Sequence, residues 1–304
     1  MAHDGIAGPW AQSLSTINAL EGNTPKNMGL WPQWVRSFVI ETDLLSGLCY
    51  TEFAPTKAGQ KEPGIRAFHM SRGGSASNPT ATAHKLMELT RPTVADFEKQ
   101  LELVNNYADL RNDRAAEILT QVGFPTPFFA SVAGLQADRN RHTLELIAIA
   151  QMLAAKVAMR VKHALACKRP DRFSPQIQPM IEMPGHGTLP SAHAAEAFIV
   201  ATVLTRLMPP QAPVSAMLYR QACRIAVNRT VAGVHFPADT MAGAMIGVVL
   251  GDYLVMRAGG SIGDAGSAMK SATFDGRGVQ GSDFFLWEFA EAGRSLAGNN
   301  PMHA

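Results

Sequence analysis

The sequence predicts an all-α fold, a helical bundle, from three observations. Apolar residues recur at helical spacing through the second and third quarters of the chain, strand-like alternation is nearly absent, and 46% of the 304 residues are hydrophobic, enough for a sizeable buried core. The first long helix is expected over residues 94–121. There Phe97, Leu101, Val104, Ala108, Ala115, Ile118 and Leu119 fall at helical spacing, and Thr93 with Asp96 marks a helix start.

From His142 to Ala166 the pattern is apolar almost all round, broken by Lys156, Arg160 and Lys162, which predicts a central helix with one polar stripe. Three helices follow: Ala194–Leu207, Ser215–Arg229 with Ser215 as N-cap, and Pro237–Met256 with proline in the first turn. Gly243, Gly247 and Gly251 recur every fourth residue and leave one side of the last helix nearly bare, which permits close helix packing.

The flanks are less patterned. Residues 1–90 are rich in Gly, Pro, Ser and Thr, with apolar clusters at Trp31–Val39 and Leu44–Phe53, and are expected to form an irregular, partly helical region on the core. The bundle proper spans 91–258. Residues 259–304 form a C-terminal extension with an amphipathic patch at Phe284–Phe289 and a polar AGNNPMHA end expected to be disordered.

Charge and cysteine usage narrow the partners. A formal net charge of +2 with interspersed signs gives no electrostatic footprint for nucleic acid. Cys49, Cys167 and Cys223 are odd in number and lack CxxC spacing, so they are expected as reduced thiols. The start MAHDGIAGPW shows no secretory pattern, and the apolar run Met241–Leu250, flanked by Asp239 and Asp252, is about half a bilayer span. No membrane span and a cytoplasmic location are therefore expected, with a homo-oligomer left open.

Three short patterns carry chemistry: Lys162 with Arg169 and Pro170 (K-x6-RP), Pro190-Ser191-Ala192-His193 (PSAH), and Arg229 with His235 and Asp239 (R-x5-H-x3-D). Each alone has a structural explanation, but nine specified residues at fixed spacings recur by chance on the order of once in 100,000 chains. Ser191 and His193 lie at the entrance of the helix expected near Ala194, where free amides and the dipole favour an anion. Pro170 pushes Arg169 out of helical geometry, and Arg229 and His235 flank the Gly233 break at a helix–helix corner. Lys162, Arg169 and Arg229 together suit a tetrahedral oxyanion and would repel one another without it.

This set resembles the signature shared by vanadium haloperoxidases, bacterial acid phosphatases and lipid phosphate phosphatases, the vanadium haloperoxidase/type-2 phosphatidic acid phosphatase (PAP2) superfamily. The resemblance covers residues 162–239 and implies that family's helical bundle. It further implies that Lys162, Arg169, Ser191, the Ala192 amide and Arg229 bind the oxyanion, that His193 is the acid/base group, that His235 bonds to vanadium or attacks phosphorus, and that Asp239 orients His235. Two positions depart from the pattern. Ala192 replaces glycine, so the amide contact needs a backbone compatible with a Cβ, and Asn228 replaces serine, a position outside the direct contacts.

The motif is common to both activities, so the flanks decide between them. His186, four residues before Pro190, stands where the resemblance places histidine in algal bromoperoxidases and phenylalanine in fungal chloroperoxidases. It is expected beside the oxyanion but outside its coordination. The resulting expectation is a vanadium-dependent haloperoxidase, with vanadate as cofactor and His235 as the vanadium ligand. It would oxidise bromide or iodide with hydrogen peroxide to hypohalous acid, which passes to an organic acceptor. The alternatives are a soluble PAP2-type acid phosphatase cleaving phosphate monoesters through a phosphohistidine, with phosphate in the same site, and a non-enzymatic oxyanion-binding helical protein.

Overall fold

A computed structural model of the chain describes residues 25–54, 62–75, 78–209, 213–259, 269 and 271–280. The Phe284–Phe289 patch and the terminal AGNNPMHA lie outside the described residues. The chain divides into two compact units, Met1–Ile40 and Glu41–Ala304. The described part of the first holds α1 (Pro25–Leu30) and the start of α2 (Gln33–Ser46), where the Arg36 guanidinium donates to the Trp31 carbonyl.

The second unit is mostly helical but not all-α, which corrects the sequence expectation. Its five-stranded sheet runs in the order β1 (Leu48–Phe53), β2 (Gly64–Ser75), β3 (Asn78–Thr90), β4 (Ala272–Phe274), β5 (Val279–Gln280), antiparallel except for the parallel β3–β4 pair. Two features hid it. Gly, Ala, Ser and Thr interrupt the two long strands, and a register shift between Ala67 and Phe68 pairs Ala67 with Met87 and Phe68 with Lys85. The extra residue, Leu86, breaks the two-residue period, so consecutive Leu86 and Met87 are both buried. Ile65, Ala67, Leu89 and Phe274 complete the sheet's buried side, and the sheet packs on the central and last helices of the bundle.

The bundle helices follow their sequence signals with local differences. α3 (Val94–Asn106) starts at the Thr93/Asp96 capping box, in which Thr93 Oγ1 accepts from Asp96 N (3.1 Å) and Asp96 Oδ2 accepts from Thr93 N (3.2 Å). The single helix expected over 94–121 is instead two, because Tyr107–Leu110 tightens into a 3-10 turn before α4 (Arg111–Thr120). The weak helix formers Asn105, Asn106, Tyr107 and Asp109 cluster at this point. A further short helix, α5 (Thr126–Ala133), ends at Gly134 with φ +67°.

α6 (Arg141–Leu165) is the central helix, and Ala166 leaves it with φ 48°. α7 (Ala192–Leu207) is capped by Ser191, whose hydroxyl accepts from Ala194 N at 3.3 Å. α8 (Pro213–Val231) begins two residues before the expected N-cap, so Ser215 sits inside the first turn and Pro213 opens the helix. α9 (Pro237–Arg257) follows.

α7 lies between α6, α8 and α9, and α9 is its closest partner. The glycine stripe is the reason. A Cβ on Gly243 would stand 2.3 Å from Ser191 O, one on Gly247 2.5 Å from Ala195 O, and one on Gly251 2.7 Å from the Thr202 side chain. Among the described residues, α9 is the one helix long and apolar enough to cross a membrane, and 83% of that window is buried within the fold. Its Asp252 pairs with Arg206 of α7 at 2.9 Å.

The stripe gives a test in which two effects oppose. Glycine to alanine in a helix interior is worth about 1 kcal/mol of stabilisation by propensity. At Gly247 the added methyl meets backbone atoms that cannot rotate away, and overpacking of this kind costs about 1–3 kcal/mol or more. Gly247→Ala is therefore expected to lower the chemical-denaturation midpoint. An unchanged or raised midpoint would show that α7 and α9 are not in this contact.

Candidate active site

The three sequence motifs converge where the C-terminal ends of α6 and α8 meet the N-terminal ends of α7 and α9. Lys162 leaves the last turn of α6 and its Nζ donates to the carbonyls of Gly187 (2.9 Å) and Thr188 (2.8 Å). Pro170 forces Arg169 into extended geometry (φ −82°, ψ 162°), as expected of a residue before proline. From there its Nε donates to His186 O (3.0 Å) and its Nη1 to Val234 O (2.7 Å).

Arg229 lies in the last turn of α8, with Nη2 donating to Ile118 O at 3.3 Å. Lys162, Arg169 and Arg229 are 2%, 4% and 1% exposed, so all three cations are enclosed. Arg229 Nε and Nη1 are buried with no acceptor among the described residues. Nitrogen–hydrogen groups buried in this way are costly unless a ligand accepts from them.

After α8 the chain turns at Gly233 (φ +79°), and His235 precedes Phe236, the N-cap of α9. A cluster of Ile118, Val231, Ala232 and Val234 holds this corner against α4. His235 is fixed by its Nδ1, which lies 3.0 Å from Asp239 Oδ2 and 3.2 Å from Thr188 Oγ1. Asp239 Oδ2 also accepts from Phe236 N (2.8 Å) and from the Thr188 hydroxyl, so it can only receive the imidazole proton. That fixes the tautomer: Nδ1 carries hydrogen and Nε2 keeps its lone pair. Nε2 lies 3.4 Å from Arg169 Nη1.

The Ser191 amide donates to Asp239 O at 2.8 Å, tying the starts of α7 and α9 together. Ala192 is the first residue of α7, with negative φ, so its Cβ is tolerated and its amide is one of the helix's unpartnered first-turn donors. His193 lies within this first turn rather than ahead of the helix. It is half-buried, with Nε2 3.1 Å from Val122 O.

His186 is exposed and touches the site through Arg169: its carbonyl accepts from Nε, and its Nδ1 is 3.2 Å from Nη2. It also lines a cleft of about 340 Å³ with Lys168, Arg169 and Arg172. No group of three or more His, Cys, Asp or Glu side chains suited to a metal ion occurs among the described residues.

Thr188, Glu196 and Gln121 belong to the site without having been anticipated. Nothing in the spacing marks Thr188 or Gln121. Glu196 had a signal, as the lone acid in the apolar run AHAAEAFIVATVL. It lies one turn beyond His193 on α7, is 5% exposed, and is within electrostatic reach of both Lys162 and Arg229.

Burial governs the protonation states. It pushes Glu196 up to about 7, against the pull of Lys162 and Arg229. It lowers Arg229 to about 10, still protonated at neutral pH, and lowers Lys162, helped by the Arg169 charge. Asp239 is raised by burial and drawn back by the Thr188 and Phe236 donors. His193 falls to about 4 through burial and then Arg229, and His235 falls well below its ordinary value through burial, Lys162 and Arg169, so His235 is neutral.

Comparison with known proteins follows this geometry. Residues 144–258 match the family model described as PAP2 superfamily. The chain is 25% identical over 131 residues, 43% of its own length and 70% of the relative's, to decaprenylphosphoryl-5-phosphoribose phosphatase from two strains of Mycobacterium tuberculosis. Among solved structures it is similar to a transmembrane PAP2 type phosphatidylglycerolphosphate phosphatase from Bacillus subtilis, at 16% identity and TM-score 0.44, covering 55% of this chain and 88% of that one. The curated relatives are named as phosphatases, which overturns the haloperoxidase expectation. The position of His186, which favoured halide oxidation, is accounted for by its contacts with Arg169.

Glu196 gives a pH test whose sign is fixed. Its pKa is raised, so it is neutral below about 7 and becomes an anion facing the cations above that. Oxyanion affinity should therefore fall as pH rises, and Glu196→Gln should remove that part of the fall. The ratio of phosphate affinities, variant to wild type, is expected near one at about pH 5.5 and on the order of tenfold at about pH 8.5. Phosphate's own ionisation cancels in the ratio. Calorimetric titrations giving the same ratio at both pH values would remove Glu196 from the site.

Proposed function

From the premise that residues 144–258 are a PAP2-superfamily core, we propose that this chain is a phosphatase that hydrolyses phosphate monoesters through a phosphohistidine at His235. One observation carries the reading. The lone pair of His235 Nε2 is left free by the hold of Asp239 and Thr188 on Nδ1, and Arg229, within electrostatic reach of His235, has buried Nε and Nη1 that lack acceptors among the described residues. A tetrahedral phosphoryl group supplies both an electrophile for the first and acceptors for the second.

In the first step His235 Nε2 attacks phosphorus, the Nε2–P bond forms, and the ester P–O bond breaks. Lys162, Arg169, Arg229, the Ser191 hydroxyl and the Ala192 amide take up the charge on the phosphoryl oxygens. The leaving alkoxide takes its proton from His193. Burial and then the Arg229 charge depress the His193 pKa, and the bound phosphoryl group offsets the part due to the cations, which shifts His193 towards the imidazolium form. Water then attacks the phosphohistidine, His193 removes its proton, and inorganic phosphate leaves with His235 neutral again.

The same donors fit vanadate, a tetrahedral anion of like geometry. We read vanadate as a competitor of phosphate in this cage, and no step depends on it. The alcohol side is apolar: Leu119, Val122 and Phe124 are exposed at the end of α4 and in the loop beyond it, and Val122 is the residue whose carbonyl meets His193. This favours a bulky, partly apolar alcohol, in line with the decaprenyl-linked substrate in the relatives' name. We read α9 as a core helix rather than a span, because its stripe is buried against α7 and its first turn carries Asp239.

The test is hydrolysis of a polyprenyl phosphate and of a small aryl phosphate without added vanadate. His235→Ala is expected to lose at least about a thousandfold in kcat, since no other side chain supplies the nucleophile. Retention of wild-type turnover by the folded variant would remove His235 from this role. Inorganic phosphate and orthovanadate should exclude one another in calorimetric competition, and independent binding of the two would contradict a single cage.

A further inference from the structure

We propose that Gln121 is a positioning residue of the oxyanion site, a clamp that fixes the guanidinium of Arg229; the inference rests on the reading that Arg229 holds the phosphoryl group. Gln121 caps the C-terminal end of α4 and is fully buried. Its backbone amide is held by the carbonyls of Glu117 (3.1 Å) and Ile118 (3.2 Å), so the side chain leaves from a fixed point.

Every polar atom of the side chain is engaged. Oε1 accepts from Asn228 Nδ2 at 2.9 Å and from Arg229 Nη2 at 3.4 Å, while Nε2 donates to Glu117 Oε1 at 2.9 Å. The Glu117 carboxylate is gripped in turn by Arg224, with Nε at 2.8 Å from both oxygens, and Asn228 Oδ1 accepts from Arg114 Nη1 at 3.1 Å. These partners allow one orientation of the amide. Turned over, it would set its NH2 against two N–H donors and its oxygen against a carboxylate.

The consequence reaches the site through Arg229. Nη2 is anchored by Gln121 Oε1 and the Ile118 carbonyl, which leaves Nε and Nη1 as the donors without acceptors. A buried guanidinium held at one nitrogen by neutral oxygens is oriented without being neutralised, so its charge stays available to an anion. The neighbouring residue adds a second hold, since Val122 O meets His193 Nε2 at 3.1 Å. One end of α4 thus braces both an oxyanion cation and the acid/base histidine. Glu117, Gln121 and Val122 all precede residues 144–258, the span matched to the family. The network also gives a place to Asn228, whose amide spans Gln121 and Arg114 where the signature has serine.

The experiment measures inorganic phosphate binding by calorimetry, KM and kcat on an aryl phosphate, and the unfolding midpoint, for wild type, Gln121→Met and Glu117→Gln. Gln121→Met keeps the length and removes the acceptor. It is expected to weaken phosphate binding on the order of tenfold, with KM rising by the same factor and kcat changing less. Glu117→Gln replaces the charged acceptor at the far end of the clamp by a neutral one and loosens its grip on Arg224, and should weaken phosphate binding about threefold, which keeps the inference testable if Gln121→Met fails to fold. Phosphate affinity and KM within about twofold of wild type in a folded variant, whatever the midpoint, would reduce Gln121 to a packing residue and overturn the inference. A wild-type chain that neither binds phosphate nor cleaves the ester overturns the phosphatase reading itself, a result distinct from a binding-competent wild type with an unaffected Gln121→Met.

Discussion

Burying three cations around one small space is the constraint on which the rest of this structure depends. Lys162, Arg169 and Arg229 repel one another, and each loses most of its hydration on enclosure. Carboxylates facing each cation would relieve this, but they would also cancel the field that an oxyanion needs. The chain uses carbonyl dipoles instead: Gly187 and Thr188 for Lys162, His186 and Val234 for Arg169, Ile118 for Arg229. The two acids within reach, Asp239 and Glu196, have their pKa values raised by burial, which limits the charge they set against the cage. The loop 186–188, the corner at Val234 and the end of α4 are therefore parts of the site, as sources of oriented oxygen atoms.

Holding those oxygens in register requires the helices to be close, and the contact of α7 with α9 sets that closeness. Gly243 lets α9 approach the Ser191 carbonyl, and the Ser191 amide donates to the Asp239 carbonyl. One residue of α7 thereby caps its own helix and anchors the start of the next. Because Asp239 also orients His235, the spacing between Ser191 and the His235 ring is set by backbone contact rather than by long side chains. A side chain at Gly243 would displace Asp239 and His235 as well as the helix.

Much of this was legible in the sequence, because strong local signals and the site motifs coincide. The helical runs, the helix start at Thr93, the expulsion of Arg169 by Pro170 and the corner after Gly233 each follow from short-range chemistry. The sheet was not legible, because Gly, Ala, Ser and Thr leave the two long strands little hydrophobic alternation and the bulge at Leu86 breaks what there is. Ser215 read as a cap because serine favours that position, yet Pro213 opens the helix with its φ already fixed. Gln121 and Thr188 act through partners more than forty residues away in sequence, and no local pattern encodes such a contact.

The distinction between halide oxidation and ester hydrolysis shows where reading by position fails. The cage answers only to a tetrahedral anion with three negative-leaning oxygens, and vanadate and phosphate satisfy it alike. Whatever separates the two activities must act on what is attached to that anion or approaches it. His186, whose offset to the PSAH motif points to such a role, has both its carbonyl and its ring turned to Arg169. On the proposed reading the alcohol lies towards the end of α4, where Val122 O meets His193 and Leu119, Val122 and Phe124 are exposed. A peroxide needs no such surface, being small and polar, whereas an ester with a long apolar alcohol gains from one by burying it. On the proposed reading, the residues that discriminate sit at the end of α4, outside residues 144–258, and their contribution becomes visible only when the fold brings the two together.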